Sequence, residues 1–295
     1  MRELSFQNIT TDFINDPVFI EKNIEVAILR LDKIHPVISG NKWFKLQLYI
    51  EEAKRLQKKT IVTYGGAWSN HIIAAAAACK DNDFNSIGII RGEKPAKIST
   101  TLFYAQGFGM ILFYTSRDDF KNKKVPEAVT GEDLYVIPEG GYGMLGANGA
   151  ATILNHCEKK YFSHFCCAVG TGTMMAGLIQ STSKDQQVTG ISVMKNNNEL
   201  EIKIKSLLQA EKQFRLFHEY HFGGYAKYTP ELITFMNNFY KQTNIPLDFV
   251  YTGKLIFAVF DLVQQNFFPP KSKLLLIHSG GLQGNASLEK GTLIY

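Results

Sequence analysis

Cysteine is scarce in this chain, which has 295 residues and four cysteines, Cys79, Cys157, Cys166 and Cys167. No two of them form a CxxC pair, and the adjacent Cys166 and Cys167 should point to opposite faces of a strand. This pattern argues against a disulfide framework and against a zinc site. We therefore expect buried, reduced thiols and no metal centre.

Long apolar segments are also missing. The longest uninterrupted apolar run is Ile72–Cys79, far shorter than a membrane-spanning helix requires. The first residues, MRELSFQNITTDF, lack the cationic stretch and following apolar run that mark a signal peptide. We therefore expect a soluble, cytoplasmic protein with no membrane partner.

Charge of one sign is not concentrated in any segment. The 32 Lys and Arg exceed the 27 Asp and Glu by only five, and the basic residues are scattered along the chain. Nucleic-acid binding normally requires a basic patch or stripe, so we expect no nucleic-acid partner. The mild positive balance also suits ligands that carry a phosphate and a carboxylate.

The chain does contain a regular alternation of short apolar runs and helical patterns. The apolar runs lie at 61–64, 87–91, 110–114, 134–137, 165–169, 190–194 and 273–278, and the helical patterns at 44–58, 70–80, 146–159, 173–182 and 230–243. Such alternation predicts an α/β protein with parallel sheets covered on both faces. The length fits two domains, and the glycine-rich corner at 138–146 is a candidate crossing between them.

Two lysines form the first candidate site. In the segment SGNKWFK at 39–45, Lys42 and Lys45 lie at i and i+3 of a predicted helix, with Cβ atoms roughly 5–6 Å apart. This spacing would let one amine reach an aldehyde while the other meets a phosphate on the same small cofactor. Desolvation would lower the pKa of Lys42 and make its amine a better nucleophile. Taken alone, such a pair is more often a solvated helix face.

The segment TYGGAWSNH at 63–71 follows an apolar strand and runs into an alanine-rich helix. Ser69 or Asn70 therefore lies at the N-cap, where free N–H groups and the helix dipole can bind a carboxylate. Helix capping alone would explain one of these polar residues, and His71 is equally well explained as an ordinary first-turn residue.

The segment CAVGTGTMMAG at 167–177 again has the pattern of strand, glycine-rich turn and helix. Its small residues, with the hydroxyls of Thr171 and Thr173, favour a phosphate as the ligand. A dinucleotide is the competing ligand, but Gly170, Gly172 and Gly177 do not fit GxGxxG and the turn comes late in the chain. A tight turn without a ligand is the third interpretation.

Two segments near the C-terminus add further polar groups. The sequence YTGK at 251–254 begins a predicted helix, and HSGG at 278–281 ends an apolar strand. A serine at a strand end beside two glycines, Ser279, is well placed to hydrogen-bond a ring atom of a ligand. Either segment by itself could be ordinary turn chemistry.

Together with GGYAKYT at 223–229, these segments resemble the pyridoxal-5'-phosphate (PLP)-dependent family of D-cysteine desulfhydrase and 1-aminocyclopropane-1-carboxylate (ACC) deaminase. The match runs from about residue 30 to residue 281 in the family's order. The resemblance implies two parallel or mixed-sheet α/β domains of the tryptophan synthase β-subunit type (PLP fold type II). Residues 1–45 and 150–295 would form a larger PLP-binding domain, residues 46–149 a smaller inserted one, and the enzyme would be a homodimer.

The resemblance also implies roles for individual residues. Lys42 would carry PLP as a Schiff base, Ser69 would assist proton transfer, and Tyr225 and Tyr251 would be the active-site tyrosines. The cofactor-binding residues would be Lys42, Lys45, Asn70, Gly170, Thr171, Gly172, Thr173, Met174 and Ser279, and the substrate carboxylate would meet Ser69, Asn70 and His71.

Three positions depart from the ACC deaminase pattern and bear on the substrate. Where ACC deaminases carry Glu and Leu, this chain has Thr252 and Ser279, and Trp68 replaces the usual glutamine. A neutral serine leaves the pyridine ring a moderate electron sink, which elimination of a thiolate tolerates better than ring opening does. We therefore expect D-cysteine desulfhydrase-like elimination from a small amino acid, giving keto acid, ammonia and sulfide. The alternatives are ACC deamination, a PLP-binding protein without catalysis, and an NAD-dependent oxidoreductase.

Overall fold

The fold is described by a computed structural model that covers residues 4–295. Strands β1 to β10 are Thr11–Ile14, Glu25–Arg30, Thr60–Gly65, Asn85–Arg91, Met110–Thr115, Leu134–Ile137, His164–Val169, Gln187–Ser192, Arg215–Phe217 and Lys273–His278. Helices α1 to α10 are Pro17–Glu21, Asn41–Arg55, Asn70–Asp81, Thr100–Gly107, Arg117–Lys121, Met144–Ala151, Thr173–Ser181, Leu200–Lys205, Pro230–Thr243 and Thr252–Gln264.

The strands form two sheets. One has six strands in the order β1-β2-β10-β7-β8-β9, and it is parallel except for the antiparallel edge strand β1. The other has four parallel strands in the order β5-β4-β3-β6. The predicted α/β class with two largely parallel sheets is therefore confirmed. All strands of the smaller sheet lie between residues 60 and 137, whereas the exact domain boundaries stay a prediction.

Helices pack on both faces of the six-stranded sheet, as its apolar strands require. Cys166 belongs to the core cluster that contains α9 and α10, while Cys167 belongs to the cluster on the opposite face that contains α7. All four cysteines are unpaired thiols. Among residues 4–295, no helix is long and apolar enough to cross a membrane.

Two predicted helices have different bounds in the structure. The helical pattern at 44–58 corresponds to α2, which begins at Asn41 and ends at Arg55, so that Lys42 lies in its first turn as the segment at 39–45 predicted. The pattern at 146–159 is split, because α6 ends at Ala151 and short 3-10 turns follow it. A Cβ on Gly149 would lie 2.0 Å from the carbonyl oxygen of Phe44, so α6 packs backbone to backbone on α2.

The residue before α2 is a glycine, and it allows a close backbone contact with the residue that follows β10. Gly40 has φ +65°, and a Cβ there would lie 1.8 Å from the carbonyl oxygen of Ser279. The same carbonyl accepts a hydrogen bond from the backbone N–H of Asn41 at 3.2 Å. This contact, which only glycine permits, places Lys42 and Ser279 on adjacent backbone segments.

Candidate active site

Lys42 presents a part-buried amine at the start of α2. Its Nζ donates to Asn41 Oδ1 at 2.7 Å and lies 5.7 Å from the centre of the Tyr251 ring. Burial lowers the pKa of Lys42 to about 8, against the opposing attraction of Asp248. A larger share of this amine is therefore unprotonated near neutral pH than in an exposed lysine, as a nucleophile requires.

Lys45, one turn later on the same helix face, is buried more deeply, with 6% of its surface exposed. Its Nζ donates to the carbonyl oxygen of Gly140 at 3.3 Å. Burial, and to a smaller extent repulsion from Lys42, lowers the pKa of Lys45 to about 7. Because no carboxylate forms an ion pair with this amine within residues 4–295, an anionic ligand such as phosphate would stabilise its charged form.

The turn at 170–172 leads into α7 as predicted for a phosphate loop. Gly172, the N-cap, has φ +87°, a left-handed conformation that glycine adopts without strain. The hydroxyls of Thr171 and Thr173 lie 3.0 Å apart, and the N–H groups of Thr173 and Met174 are in the first turn, where a helix supplies no acceptor. Free N–H groups, hydroxyls and the positive end of the helix dipole favour an anion.

Close contacts join this turn to its neighbours. A Cβ on Gly140 would lie 3.0 Å from the Thr171 side chain, and a Cβ on Gly170 would lie 3.3 Å from the Tyr251 ring. The glycine-rich corner that accepts from Lys45 therefore also packs on the phosphate-type turn.

The start of α3 provides a second set of donors. Ser69 is the N-cap, and its Oγ accepts from the N–H of Ile72 at 3.4 Å, which leaves the hydroxyl proton free to donate. The N–H groups of Asn70 and His71 lie in the first turn, where helix geometry provides no acceptor. This end can therefore bind a carboxylate.

Two buried atoms at this helix end lack hydrogen-bond partners among residues 4–295. Asn70 donates to the carbonyl oxygen of Gly281 at 3.4 Å, but its Oδ1 is unpaired. His71 Nε2 lies 2.9 Å from Thr63 Oγ1, and that hydroxyl donates to the carbonyl oxygen of Ile137 at 2.8 Å. Thr63 must then accept from His71, so the imidazole carries its proton on Nε2 and its unpaired Nδ1 is an acceptor.

This arrangement limits what His71 can do. Burial lowers the pKa of His71 to about 3, with a further contribution from the positive charges of Lys42 and Lys45, so the ring is neutral. A neutral ring whose only N–H is bound to Thr63 has no proton to donate to a carboxylate. The predicted contact of His71 with a substrate carboxylate must therefore use its backbone N–H.

The rings of Tyr225 and Tyr251 are in edge-to-face contact, with ring centres 6.1 Å apart and planes at 73°. Burial raises the pKa of both phenols. Tyr225 is the more exposed of the two, with 43% of its surface accessible, whereas Tyr251 is partly buried.

Ser279 lies immediately after β10 and is buried, with 4% exposure. Its hydroxyl makes no hydrogen bond to another residue of the range 4–295. The group is thus available to a ligand atom, as the motif predicted.

Sequence reasoning missed Asp248, a fully buried carboxylate beside the site. Its Oδ2 accepts from the N–H groups of Val250 and Tyr251 at 3.0 and 2.9 Å, and its Oδ1 accepts from the N–H and hydroxyl of Thr252 at 2.9 and 2.8 Å. Burial raises the pKa of Asp248, and the hydrogen bonds oppose that rise. The available signal was an aspartate just before a predicted helix start.

Most of the predicted residues lie at the carboxyl ends of β3, β7 and β10 and at the start of α2, whereas Tyr225 lies in the turn at 221–227 and Tyr251 directly before α10. Direct contacts link these segments. Lys42 contacts Tyr251, Asn70 contacts Gly281, and Asn41 donates to Met174 Sδ at 3.2 Å. An amine of lowered pKa, two anion-binding helix ends and an unpaired buried amide oxygen fit a small ligand with an aldehyde, a phosphate and a ring hydroxyl. The individual roles of these residues stay predictions.

Comparison with known proteins agrees with that ligand. Residues 17–280 match the profile of the family described as "Pyridoxal-phosphate dependent enzyme". A Pyrococcus horikoshii protein, provisionally named as a 1-aminocyclopropane-1-carboxylate deaminase, is 28% identical over 90% of this chain and 86% of its own. The D-cysteine desulfhydrase of Yersinia pestis is 27% identical over 87% of this chain and 86% of its own.

A solved structure described as an ACC deaminase homologue superposes with a TM-score of 0.82 at 26% identity. The superposition covers 97% of this chain and 91% of that one. The predicted PLP fold type II is thereby confirmed, and with it the resemblance noted from the motifs. This chain belongs to the family of pyridoxal-phosphate dependent enzymes, and its cofactor is PLP.

Proposed function

We propose that this enzyme is a lyase that eliminates the side-chain substituent of a small amino acid, with D-cysteine as the preferred type of substrate. D-Cysteine and water would give pyruvate, ammonia and hydrogen sulfide, so that the C–S bond breaks and the sulfur leaves as a thiolate. The observation that carries this proposal is Ser279, a neutral, buried hydroxyl that has no hydrogen-bond partner among residues 4–295 and that would face the ring nitrogen of the cofactor.

The strength with which the cofactor ring stabilises negative charge decides between elimination and ring opening. Bound PLP supplies a conjugated ring that stabilises negative charge at the substrate α-carbon. A serine hydroxyl does not favour a protonated ring nitrogen as strongly as a carboxylate does, so the ring is a moderate electron sink. Elimination suits this ring because the departing thiolate takes the charge away.

The residues of the chain can be assigned to the remaining tasks. Lys42 Nζ would hold the cofactor and then move the proton at the substrate α-carbon, for which its lowered pKa suits it. The first turn of α3, capped by Ser69, would orient the substrate carboxylate. Tyr225, the more exposed phenol of its pair, would donate a proton to the departing sulfur.

Lys45 and the first turn of α7 would bind the cofactor phosphate, with Thr171 and Thr173 as hydroxyl donors. Asn70 would meet the ring hydroxyl through its unpaired Oδ1. The assignment of Asn70 is supported because its Oδ1 has no partner among residues 4–295, and that of the α7 turn because its first N–H groups have no helical acceptor.

ACC deamination is the alternative, supported by the provisional name of the Pyrococcus horikoshii relative. Thr252 argues against it. This residue is fully buried, and its hydroxyl bonds to Asp248, so the position at which ACC deaminases carry Glu presents no carboxylate to the cleft here. Ring opening releases no leaving group and would need such help more than elimination does.

We also propose a cytoplasmic homodimer with an inserted domain at 46–149. The resemblance to the family supports all three features, and the confinement of β3 to β6 to residues 60–137 supports the third.

A panel of D- and L-amino acids together with ACC tests the proposed function. Keto acid, ammonia and sulfide are each measured, with Lys42→Ala as the control for cofactor-independent reaction. Release of all three products from D-cysteine is expected. Keto acid and ammonia from ACC, without sulfide from either cysteine enantiomer, would overturn the proposal in favour of deamination.

A further inference from the structure

Lys254 is a lysine without solvent contact, with 0% of its surface exposed. It lies in the first turn of α10, one turn after Tyr251. Its Nζ donates to the carbonyl oxygens of His221 and Gly224, each at 2.8 Å. Burial lowers the pKa of Lys254 to about 8. A buried lysine is rare because its amine loses hydration, so its hydrogen bonds within the protein must offset that loss.

Both carbonyls belong to the segment that carries Tyr225. The segment consists of two consecutive turns, closed by hydrogen bonds from Gly224 N to His221 O at 3.0 Å and from Lys227 N to Gly224 O at 3.1 Å. The Lys254 amine therefore bonds to the accepting carbonyl of each turn. Tyr225 is the residue that directly follows the second of these carbonyls.

The backbone of this segment is strained. Positive φ angles occur at Phe222 (50°), Gly223 (91°), Gly224 (121°) and Ala226 (53°), two of which are not glycine. Residues with a Cβ avoid this region, and such conformations persist only where surrounding contacts hold them. The hydroxyl of Tyr220 anchors the beginning of the segment to Asp261 at 2.7 Å, and the ring of Phe222 packs on Phe257.

Neither of these anchors reaches Tyr225, whose side chain is 43% exposed. Tyr225 has Tyr251 as its ring contact, at 6.1 Å between ring centres. The hydrogen bonds of Lys254 to Gly224 and His221 thus connect the two turns around Tyr225 to the first turn of α10, whereas Tyr220 connects the beginning of the segment to Asp261 farther along the same helix.

We propose that Lys254 is a positioning residue that holds the strained turn at 221–227, so that Tyr225 stays opposite Tyr251 at the cofactor. The start of α10 then fixes the positions of both tyrosines. Asp248 accepts from the N–H of Tyr251, and Lys254 donates to the carbonyl oxygen of Gly224, directly before Tyr225. The functional part of this inference rests on the proposed role of Tyr225, whereas the structural part does not.

Hydrogen exchange on the PLP-loaded enzyme tests the structural part. Lys254→Met keeps the length and apolar stem of the side chain but removes the donors. The amides of 222–228 should then exchange at least about tenfold faster than in the unmodified enzyme, because the turn loses its anchor. Val259→Ala, a fully buried residue farther along α10, is the stability control and should leave these amides unchanged.

A double-mutant cycle tests the functional part, with D-cysteine, or with ACC if the panel selects it. Lys254→Met should lower kcat/KM about tenfold or more, and by less than about twofold in an enzyme that already carries Tyr225→Phe, because Lys254 acts through the Tyr225 hydroxyl. Val259→Ala should leave kcat/KM unchanged. If Lys254→Met does not fold, Lys254→Gln, which is too short to reach both carbonyls, takes its place with the same expectations.

The outcomes separate the two proposals. Unchanged exchange at 222–228, or an equal loss of kcat/KM in the unmodified enzyme and in the Tyr225→Phe enzyme, overturns the role of Lys254. A Tyr225→Phe enzyme with full activity instead overturns the proposed role of Tyr225, and the exchange result alone then decides whether Lys254 holds the turn.

Discussion

At the scale of single residues, one part of the molecule holds two buried lysine amines and one part-buried lysine amine. Burial lowers the pKa of Lys42, Lys45 and Lys254 to about 8, 7 and 8. Their hydrogen bonds differ. Lys254 bonds two carbonyls and Lys45 one, whereas Lys42 bonds only the side chain of its neighbour Asn41. Lys42 is therefore the least constrained amine and the best suited to covalent chemistry.

The pKa of Lys42 predicts how the cofactor-free protein takes up PLP. The pKa is lowered, so the amine is protonated and unreactive below about pH 8 and increasingly neutral above it. The rate of PLP attachment, followed by the absorbance of bound cofactor, should rise with pH and level off above an inflection near 8. A rate that does not change across this range would mean that the free amine of Lys42 is not the attacking group.

Lys45 leads to a prediction about protons. With a pKa of about 7, most of this amine is neutral at pH 8, and a bound phosphate would raise its pKa. Binding of pyridoxine 5'-phosphate, which cannot attach covalently, should therefore take up protons. Calorimetry at about pH 8 in buffers of different ionisation enthalpy measures this uptake. Lys45→Met should bind more weakly and show a smaller buffer dependence, with only the contribution of Lys42 remaining. Equal uptake by the variant would show that Lys45 does not meet the phosphate.

At the scale of elements, the start of α10 depends on one carboxylate. Asp248 takes four hydrogen bonds from three consecutive residues, and its loss would leave buried N–H groups without acceptors. Asp248→Ala should lower the free energy of unfolding by about 2–4 kcal/mol, measured by urea denaturation, and should also reduce activity through Tyr251.

Thr252→Val is the matched control for Asp248→Ala. It removes the hydroxyl, which donates to the Asp248 carboxylate and accepts from the Asp248 N–H at 2.7 Å, but it leaves the three N–H bonds to the carboxylate intact. Its effect should therefore be about 1–2 kcal/mol, smaller than that of Asp248→Ala. Equal losses in the two variants would contradict the idea that the carboxylate organises this turn.

The observed bounds of the elements show which of them the sequence pattern could predict. The bounds of β10 and α9 agree with the apolar runs, because these elements have clear periodicity and, for α9, a Thr–Pro start. The helix α2 begins three residues earlier than its pattern, because its first residues, Asn41 and Lys42, face the site and are not apolar. The short strands β1 and β9 have too few residues for a periodic signal.

At the scale of the whole molecule, the candidate site could be predicted because its residues stand in contiguous motifs at strand and helix ends. Asp248 and Lys254 could not be given roles in the same way. The part played by Lys254 depends on carbonyls some thirty positions earlier in the chain, and backbone oxygens carry no sequence signature. The tautomer of His71 likewise depends on Thr63 and on a carbonyl of β6.

Lys42 is proposed to bind PLP covalently in an enzyme that has two buried lysines close by, Lys45 and Lys254. Reduction of the PLP-loaded enzyme with borohydride fixes the cofactor to the lysine that holds it, and peptide mass spectrometry then identifies that lysine. We expect the label on Lys42, and an unlabelled, folded protein for Lys42→Ala. A label on Lys45 or Lys254 in the unmodified enzyme would contradict the assignment of Lys42 as the lysine that binds PLP.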